Sequence, residues 1–373
     1  MAKPPLMKLV LLIPTLDRSG AEKQLTRLAC GLPKDEFDVH VVGLTRGGPY
    51  EAELRDAGVP VTILGKRLKF DPGAIWRLRR FLHTHRPDIL HTWLFAANAY
   101  GRMVAGRGPK VIVSERCVDV WKSGWQTWLD ARLISRMHRL VANSESVAAH
   151  YREHGVPSDR ILVIPNGVDI PPPRTAEVDA STAALREELG IAPHTRVVGY
   201  VGRLAKQKRV NDLVWGLQLL RQATENVCFV IVGDGPERKE LERLAVQFGC
   251  TQFLRFVGHR NDASRFFPMF QVFWLGSDFE GMSNSLMEAM AHGIPVVASD
   301  IPPNRELVVD GQTGFVVKAG DSFGFAQFTD RLLADTELAC RLGEAGRARM
   351  QTEFSMDRMI ERHIALYRSM RSV

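Results

Sequence analysis

Short apolar runs alternate with amphipathic stretches along almost the whole chain, and this alternation limits the fold more than any other feature. LVLLIP, starting at Leu9, leads into SGAEKQLTRLACGL, whose apolar residues recur at helical spacing up to Gly31. FDVHVVGL and VPVTIL read as the next strands. AIWRLRRFLHTH is a basic amphipathic helix stopped by Pro87, and DILHTW, AANAYGRMVAG and KVIVSE continue as strand, helix and strand. WKSGWQTWLDARLISRMH, RLVANS, ESVAAHYREHG and ILVIPNGV carry the pattern on. Apolar runs of this length between helical patterns predict parallel sheets with helices on both faces.

The pattern breaks once. DIPPPRTAEVDASTA has three consecutive prolines followed by small and polar residues, and reads as a linker starting near Ile170. Beyond it the alternation resumes with RVVGYVG, NDLVWGLQLLRQA, VCFVIVGDGPE, RKELERLAVQFG, FLRFVG and VFWLGS. GFVV, two helices between Ser322 and Gln351, and a last helix from Ser355 to about Arg371 complete it. A chain of 373 residues exceeds what one core usually supports, so two Rossmann-like halves are expected.

Composition narrows the setting. A hydrophobic share of 45% and a charged share of 24% are those of a soluble globular protein. No run of 18 apolar residues predicts a membrane-spanning helix. MAKPPLMKLVLLIPTL has an early Lys and an apolar run but no small-residue cleavage site, so a buried first strand is the better reading than a signal peptide. Five scattered cysteines without a C-x-x-C pair argue against a disulfide framework or structural zinc and for a reducing, cytoplasmic compartment. The net charge of +7 is lopsided: residues 1–170 hold 25 Lys and Arg against 17 Asp and Glu, whereas 171–373 hold 24 against 25. A basic first half suits nucleic acid, an anionic membrane or a phosphorylated substrate, or is a solvated surface.

Open parallel sheets bind ligands beyond the carboxyl ends of their strands. The first strand ends in PTLDRSGAEKQL, which lacks the G-x-G-x-x-G dinucleotide fingerprint and has Ser19 as a cap ahead of Gly20. GYVGRLAKQKRV places Gly202, Arg203 and Lys208 just past a strand, where a planar fork and a point charge suit a diphosphate. GDGPE, Gly233 to Glu237, reads as a structural turn, and Val257 with Gly258 ends a strand where backbone groups can meet a base edge. The segment from Phe279 to Asp300 carries two carboxylates, Glu280 and Glu288, around Ser283, Asn284 and Ser285. Ser285 and Glu288 fit an S-x-x-E capping box, whereas Glu280 has no capping role.

Taken together these motifs resemble the signature of the retaining glycosyltransferases of family four, which have the GT-B fold. The resemblance rests on Glu280, a seven-residue gap, Glu288 and EAMAHGIPVVAS, with VGRL and Lys208, GDGPE, and IPNGVD before the linker. It implies an α/β GT-B architecture of two Rossmann-like domains facing each other across a cleft. Residues 1–170 would bind the acceptor, 171–354 the nucleotide sugar, and 355–373 would form a helix crossing back to the first domain. Arg203 and Lys208 would bind the donor diphosphate, and Glu280 the donor sugar near the reacting carbon. Gly20, Gly202, Val257, Gly258 and the run Gly281, Met282, Ser283, Asn284, Ser285 and Leu286 would line the donor site, with Glu288 on the ribose. Ser19 stands where the family often has a second glycine. Many members carry a His where this chain has Ser114, Glu115 and Arg116. His91 and Glu115 are therefore the acceptor-side candidates, Glu115 having the alternative of pairing with Arg116 or another cation.

No D-x-D metal motif occurs, so the departing nucleoside diphosphate is expected to be met by Arg203, Lys208 and helix amides, without metal or cofactor. The partners expected from the resemblance are a UDP-sugar before GDP or ADP, and a glycan or lipid-linked acceptor, not nucleic acid. Trp76 to Phe81, and Trp121, Trp125 and Trp128 with Lys122 and Arg132, suit peripheral binding to an anionic membrane, or else pack inward on the sheet. A GT-B epimerase, a phosphorylase and a non-catalytic sugar-nucleotide module are the competing readings, and a dehydrogenase is disfavoured by the absent glycine fingerprint.

Overall fold

The computed structural model describes residues 5–106, 108–118 and 122–371. In chain order the first elements are β1 (Met7–Ile13), α1 (Gly20–Gly31), β2 (Phe37–Gly43), α2 (Tyr50–Asp56) and β3 (Val61–Ile63). Next come α3 (Pro72–His85), β4 (Ile89–Trp93), α4 (Leu94–Val104), β5 (Lys110–Glu115), α5 (Gly124–Leu133), β6 (Arg139–Ala142), α6 (Glu145–Glu153) and β7 (Ile161–Val163). There follow α7 (Ala176–Glu188), β8 (Arg196–Val201), α8 (Val210–Ala223), β9 (Val227–Val232), α9 (Arg238–Gln247), β10 (Leu254–Gly258) and β11 (Val272–Leu275). The last are α10 (Asn284–Ala291), β12 (Val296–Ser299), α11 (Pro302–Leu307), β13 (Phe315–Val317), α12 (Ser322–Ala334), α13 (Thr336–Glu353) and α14 (Met356–Ser369).

Contacts divide the chain into two units, 1–167 with 356–373, and 168–355. The linker expected at DIPPPRTAEVDASTA is shorter than its composition suggests. Thr175 accepts a hydrogen bond from the Val178 amide and caps α7, so the stretch of small residues is helical from Ala176. Ala and Glu in that stretch have high helix propensity, which outweighs its linker-like look. The short helices α2 and α11 are also additions to the sequence reading; α11 has Pro at its first turn, where the ring's fixed φ suits a helix start.

The first unit holds a seven-stranded parallel sheet in the order β3-β2-β1-β4-β5-β6-β7. Strand order reverses between β1 and β4. Successive residues alternate between two apolar layers: Leu9, Leu11 and Ile13 face one, and Val10 and Leu12 the other. The first layer is closed by α14, whose Met356, Met359, His363 and Tyr367 recur at helical spacing and are buried. Helix α3 shows how local signals set an element. Asp71 accepts from the Ala74 amide, Pro72 opens the first turn, and Arg86 ends the helix in a left-handed conformation before Pro87.

The second unit holds a six-stranded parallel sheet in the order β10-β9-β8-β11-β12-β13, reversing between β8 and β11. Its strands are almost wholly buried, as in VCFVIV of β9, because helices cover both faces. Among the described residues no helix is long and apolar enough to cross a membrane.

Candidate functional site

The reversal point of a parallel sheet leaves a crevice, because the connections on either side depart to opposite faces. In the second unit that crevice lies between the carboxyl ends of β8 and β11. The loop after β8 carries Gly202, Arg203 and a turn at Lys206–Lys208; the loop after β11 carries Gly276 to Ser283. Residues 72 apart in sequence therefore meet. Lys208 Nζ donates to Glu280 Oε1, and Ser277 Oγ donates to the same oxygen at 2.7 Å.

Backbone and side-chain bonds lock the two loops together. The Asp278 amide donates to Gln207 O at 2.8 Å, and Gln207 Nε2 to Phe279 O at 3.4 Å. Arg209, held at φ 48°, reaches Asp278 Oδ1 at 3.1 Å and also pairs with Asp212. Ser299, the last residue of β12, donates to Ser277 O and takes Asn304 Nδ2 at 3.2 Å, which fixes the loop root. Glu280 is buried and anchored, as a carboxylate that must present fixed acceptors needs to be.

Arg203 is exposed, and its guanidinium has no hydrogen-bond or ion-pair partner among the described residues. Its backbone is held by Tyr200, whose hydroxyl donates to Arg203 O at 3.1 Å. Burial, and then the Glu280 charge, hold the Tyr200 phenol well above its ordinary range, so it remains a donor. Tyr200, Ser277 and Gln207 are absent from the sequence reading. Tyr200 had a signal there, a lone hydroxyl inside an apolar strand just ahead of the Gly202 turn.

The expected donor-lining residues are placed as follows. Gly202 and Gly233 lie at neighbouring strand ends, and the Gly202 amide donates to Val232 O. A Cβ on Gly233, at φ 138°, would stand 1.9 Å from Gly202 O, so the GDGPE turn requires glycine there. The Gly233 amide donates to Gly258 O at 2.8 Å, which brings Val257 and Gly258 to the same edge. Gly281, Met282 and Ser283 are buried; Asn284, Ser285 and Glu288 are half-buried. Leu286 lies in the core and its amide is committed to Ser283 Oγ at 3.4 Å, so it has no backbone donor to offer a ligand.

That bond also corrects the expected capping box. The cap of α10 is Ser283, not Ser285, and Glu288 falls in the second turn, out of reach of the helix start. A carboxylate there has no capping duty. Gly20 opens α1 and is exposed, but the first turn already contains a carboxylate, Glu22, which accepts from Thr15 Oγ1 at 3.0 Å and from Ser19 Oγ. Ser19 stands at the cap position without a capping bond, its hydroxyl having gone to Glu22.

In the first unit the two acceptor candidates separate. His91 is fully buried, with Nδ1 2.8 Å from Tyr367 Oη and Nε2 2.7 Å from Ser114 Oγ, so it is no pocket-facing residue. Burial pushes its pKa well below the ordinary value. Glu115 points from the opposite face of the sheet, because strand residues alternate. It accepts from Asn98 Nδ2 at 3.0 Å, faces Lys122 Nζ at 3.8 Å, and lines a cavity of about 230 Å³ with Arg102 and Asp130. Glu115 is thus paired with a cation, though with Lys122 and not with Arg116. The side chain that shares a face with His91 is Arg116, stacked 3.8 Å from the Trp93 ring centroid.

The tryptophans resolve the other open alternative. Trp76, Trp125 and Trp128 are 60%, 61% and 60% exposed and do not pack on the sheet; Trp121 lies outside the described residues. Trp76, Arg79, Arg80 and His83 share the outer face of α3, and Leu68 and Phe70 beside it are 63% and 62% exposed.

Comparison with known proteins matches residues 18–170 to the model described as Glycosyltransferase Family 4 and residues 181–349 to that described as Glycosyl transferases group 1. The putative glycosyltransferase EpsD of Bacillus subtilis is 26% identical over 81% of this chain and 82% of its own length. The lipopolysaccharide core biosynthesis glycosyltransferase LpsE of Rhizobium meliloti is 30% identical over 49% of this chain, a match that spans only 53% of that protein. Among solved structures, Anabaena HepE in complex with UDP and glucose superposes with a TM-score of 0.86 at 22% identity, covering 97% of this chain and 100% of that one.

Proposed function

The chain belongs to the family-four glycosyltransferases, and on that premise we propose that it moves a sugar from a nucleoside diphosphate sugar to a glycan or lipid-linked acceptor with retention of configuration. The observation that carries this reading is the meeting of Lys208 and Glu280 at the reversal point of the second sheet, Arg203 being on the same loop as Lys208. A cation and a carboxylate held against each other offer a diphosphate one partner and sugar hydroxyls the other.

As the bond from the sugar carbon to the diphosphate oxygen breaks, negative charge grows on the leaving group. Arg203, exposed and without a side-chain partner among the described residues, and Lys208 meet that charge in a site preorganised by the Ser277, Gln207 and Tyr200 bonds. Glu280 accepts from donor-sugar hydroxyls, and Glu288, without a capping duty, takes the ribose. The acceptor hydroxyl attacks the face that the diphosphate leaves, its proton passing to the departing oxygen. UDP is the donor base proposed first, in keeping with the UDP complexes of the HepE fold relative. A hexosyl or N-acetylhexosaminyl group is the sugar class, in cell-surface polysaccharide assembly, in keeping with the lipopolysaccharide core biosynthesis of the LpsE relative.

The exposed Trp76, Leu68 and Phe70, interleaved with Arg67, Lys69, Arg79 and Arg80, support peripheral docking on an anionic membrane from the cytoplasmic side. A thermal-shift screen of UDP-, GDP- and ADP-sugars tests the donor assignment, since a bound ligand raises apparent stability. A shift with a UDP-sugar that disappears in Lys208→Ala is expected. No shift with any nucleotide sugar removes the proposal.

A further inference from the structure

Arg116 follows β5 at the carboxyl edge of the first sheet, with neighbouring polar residues at the ends of the adjacent strands. Trp93 ends β4, Asn143 follows β6, and Asn166 lies just beyond β7. The Arg116 guanidinium is buried, 9% exposed, and stacked on Trp93. Nη1 donates to Asn166 Oδ1 at 3.0 Å, and the Arg116 carbonyl takes Asn143 Nδ2 at 3.3 Å. Nε and Nη2 have no hydrogen-bond partner among the described residues.

Those two nitrogens are not scattered orphans. The Nε–H and the Nη2–H beside it form one parallel fork of a guanidinium, the edge that takes two oxygens of a phosphate or carboxylate side-on. No carboxylate pairs with Arg116 among the described residues, and Glu115 is turned to the other face and held by Asn98. One more unused donor belongs to the stacked ring, Trp93 Nε1, whereas the unused Asn143 Oδ1 and His363 Nε2 are acceptors and suit a hydroxyl, His363 because Nδ1 donates to Met359 O at 2.8 Å. A buried cation with an empty fork is costly, and arginine does not readily shed its proton. Burial, against the raising effect of Tyr367 and Glu115, moves its pKa down to about 9. Such a cost, only partly relieved by the Trp93 ring and Asn166, marks a place where a ligand supplies the missing oxygens.

We propose that Arg116, with the Trp93 indole N–H, binds an oxyanion carried by the acceptor, a phosphate or a sugar carboxylate. The assignment to the acceptor rests on the glycosyltransferase reading; the oxyanion site itself does not. It makes the acceptor anionic, and gives the +8 of residues 1–170 a specific focus.

The test is carried out in an Arg203→Ala, Lys208→Ala background, so that the donor-site cations do not contribute. Melting temperature is followed against inorganic phosphate, and separately against glucuronate, at constant ionic strength made up with chloride. The expected result is a rise with at least one of the two that is lost on adding Arg116→Met; the anion that acts tells phosphate from carboxylate. Arg116→Met itself should melt no lower than its parent, because it replaces an unpaired buried charge with an apolar chain of similar length. Arg116→Lys, which keeps the charge without the fork, should weaken the anion response at least tenfold. No response to either anion, or a response that survives Arg116→Met, overturns the proposal, and so does an unchanged response in Arg116→Lys. No sugar transfer is read, so a negative result leaves the donor assignment standing, and a failure of nucleotide-sugar binding leaves this one standing.

Discussion

The carboxyl edges of the two sheets are built alike and charged differently. Each belongs to a parallel sheet whose order reverses once, between β1 and β4 in one and β8 and β11 in the other. In the second unit most of the charges compensate each other, exposed Arg203 being the exception: Lys208 meets Glu280, Arg209 meets Asp212 and Asp278, and Arg305 meets Asp300. In the first unit the edge cation Arg116 is stacked on an aromatic ring and left without a carboxylate. The difference teaches how a site can be read from what it lacks. A compensated pair shows which residues are preorganised; an uncompensated one shows which chemical group the protein expects from outside.

The largest expected effect is on the compensated edge. Lys208→Ala should lower transfer about 10²- to 10³-fold, roughly 3–4 kcal/mol of lost stabilisation of the leaving group, measured as single-turnover rate at saturating donor. Glu280→Gln should also be severe, and the double variant much less than additive, because the two side chains share one contact. Additive losses would break the picture of a coupled pair.

Gly233→Ala comes next. Its Cβ would collide with Gly202 O, at a φ that L-residues avoid, so the ends of β8 and β9 must part. A destabilisation of about 2–3 kcal/mol by urea unfolding is expected, with loss of nucleotide-sugar binding. Gly258→Ala meets no atom within 4 Å and should cost less, the strain of its positive φ alone.

Acid should act through both units. Burial holds His363 down at about 3 and His292 at about 4, whereas an unfolded histidine takes its proton near 6.5. Stability should therefore be level above about pH 7 and fall as pH drops from about 6.5 towards 4, by roughly 1.4 kcal/mol per pH unit for each such proton. Replacing His363 by Met should flatten that slope in chemical-denaturation titrations; an unchanged slope would mean His363 does not titrate on unfolding as its burial requires.

The smallest effect on stability belongs to the exposed tryptophans. Trp76→Ala should change the melting temperature little, as exposed positions usually do, while reducing flotation with liposomes of anionic lipid at low salt. Wild-type protein that fails to float at all would remove the membrane from the account.

Much of this was legible beforehand, for physical reasons that can be named. A periodicity of two or 3.6 is a local property, so β9 and α3 could be placed from VCFVIV and from Asp71, Pro72 and Pro87 alone. Misreadings arose where several local signals compete. Small residues after the prolines suggested a linker although Thr175 caps a helix there, and Ser285 with Glu288 matched a capping pattern that Ser283 takes instead.

The sequence by itself determined the alternation of strands and longer helices and the identity of the charged residues at the second edge, because spacing and residue type are local. Only the tertiary structure decided which of these meet. Lys208 and Glu280 are 72 positions apart and are joined because their strands are neighbours across a reversal point. Likewise His91 and Arg116 share a face and Glu115 does not, because strand parity becomes a side of a sheet only when helices cover it. Burial then fixes what each group is: a histidine turned into core packing, and an arginine left holding an open fork.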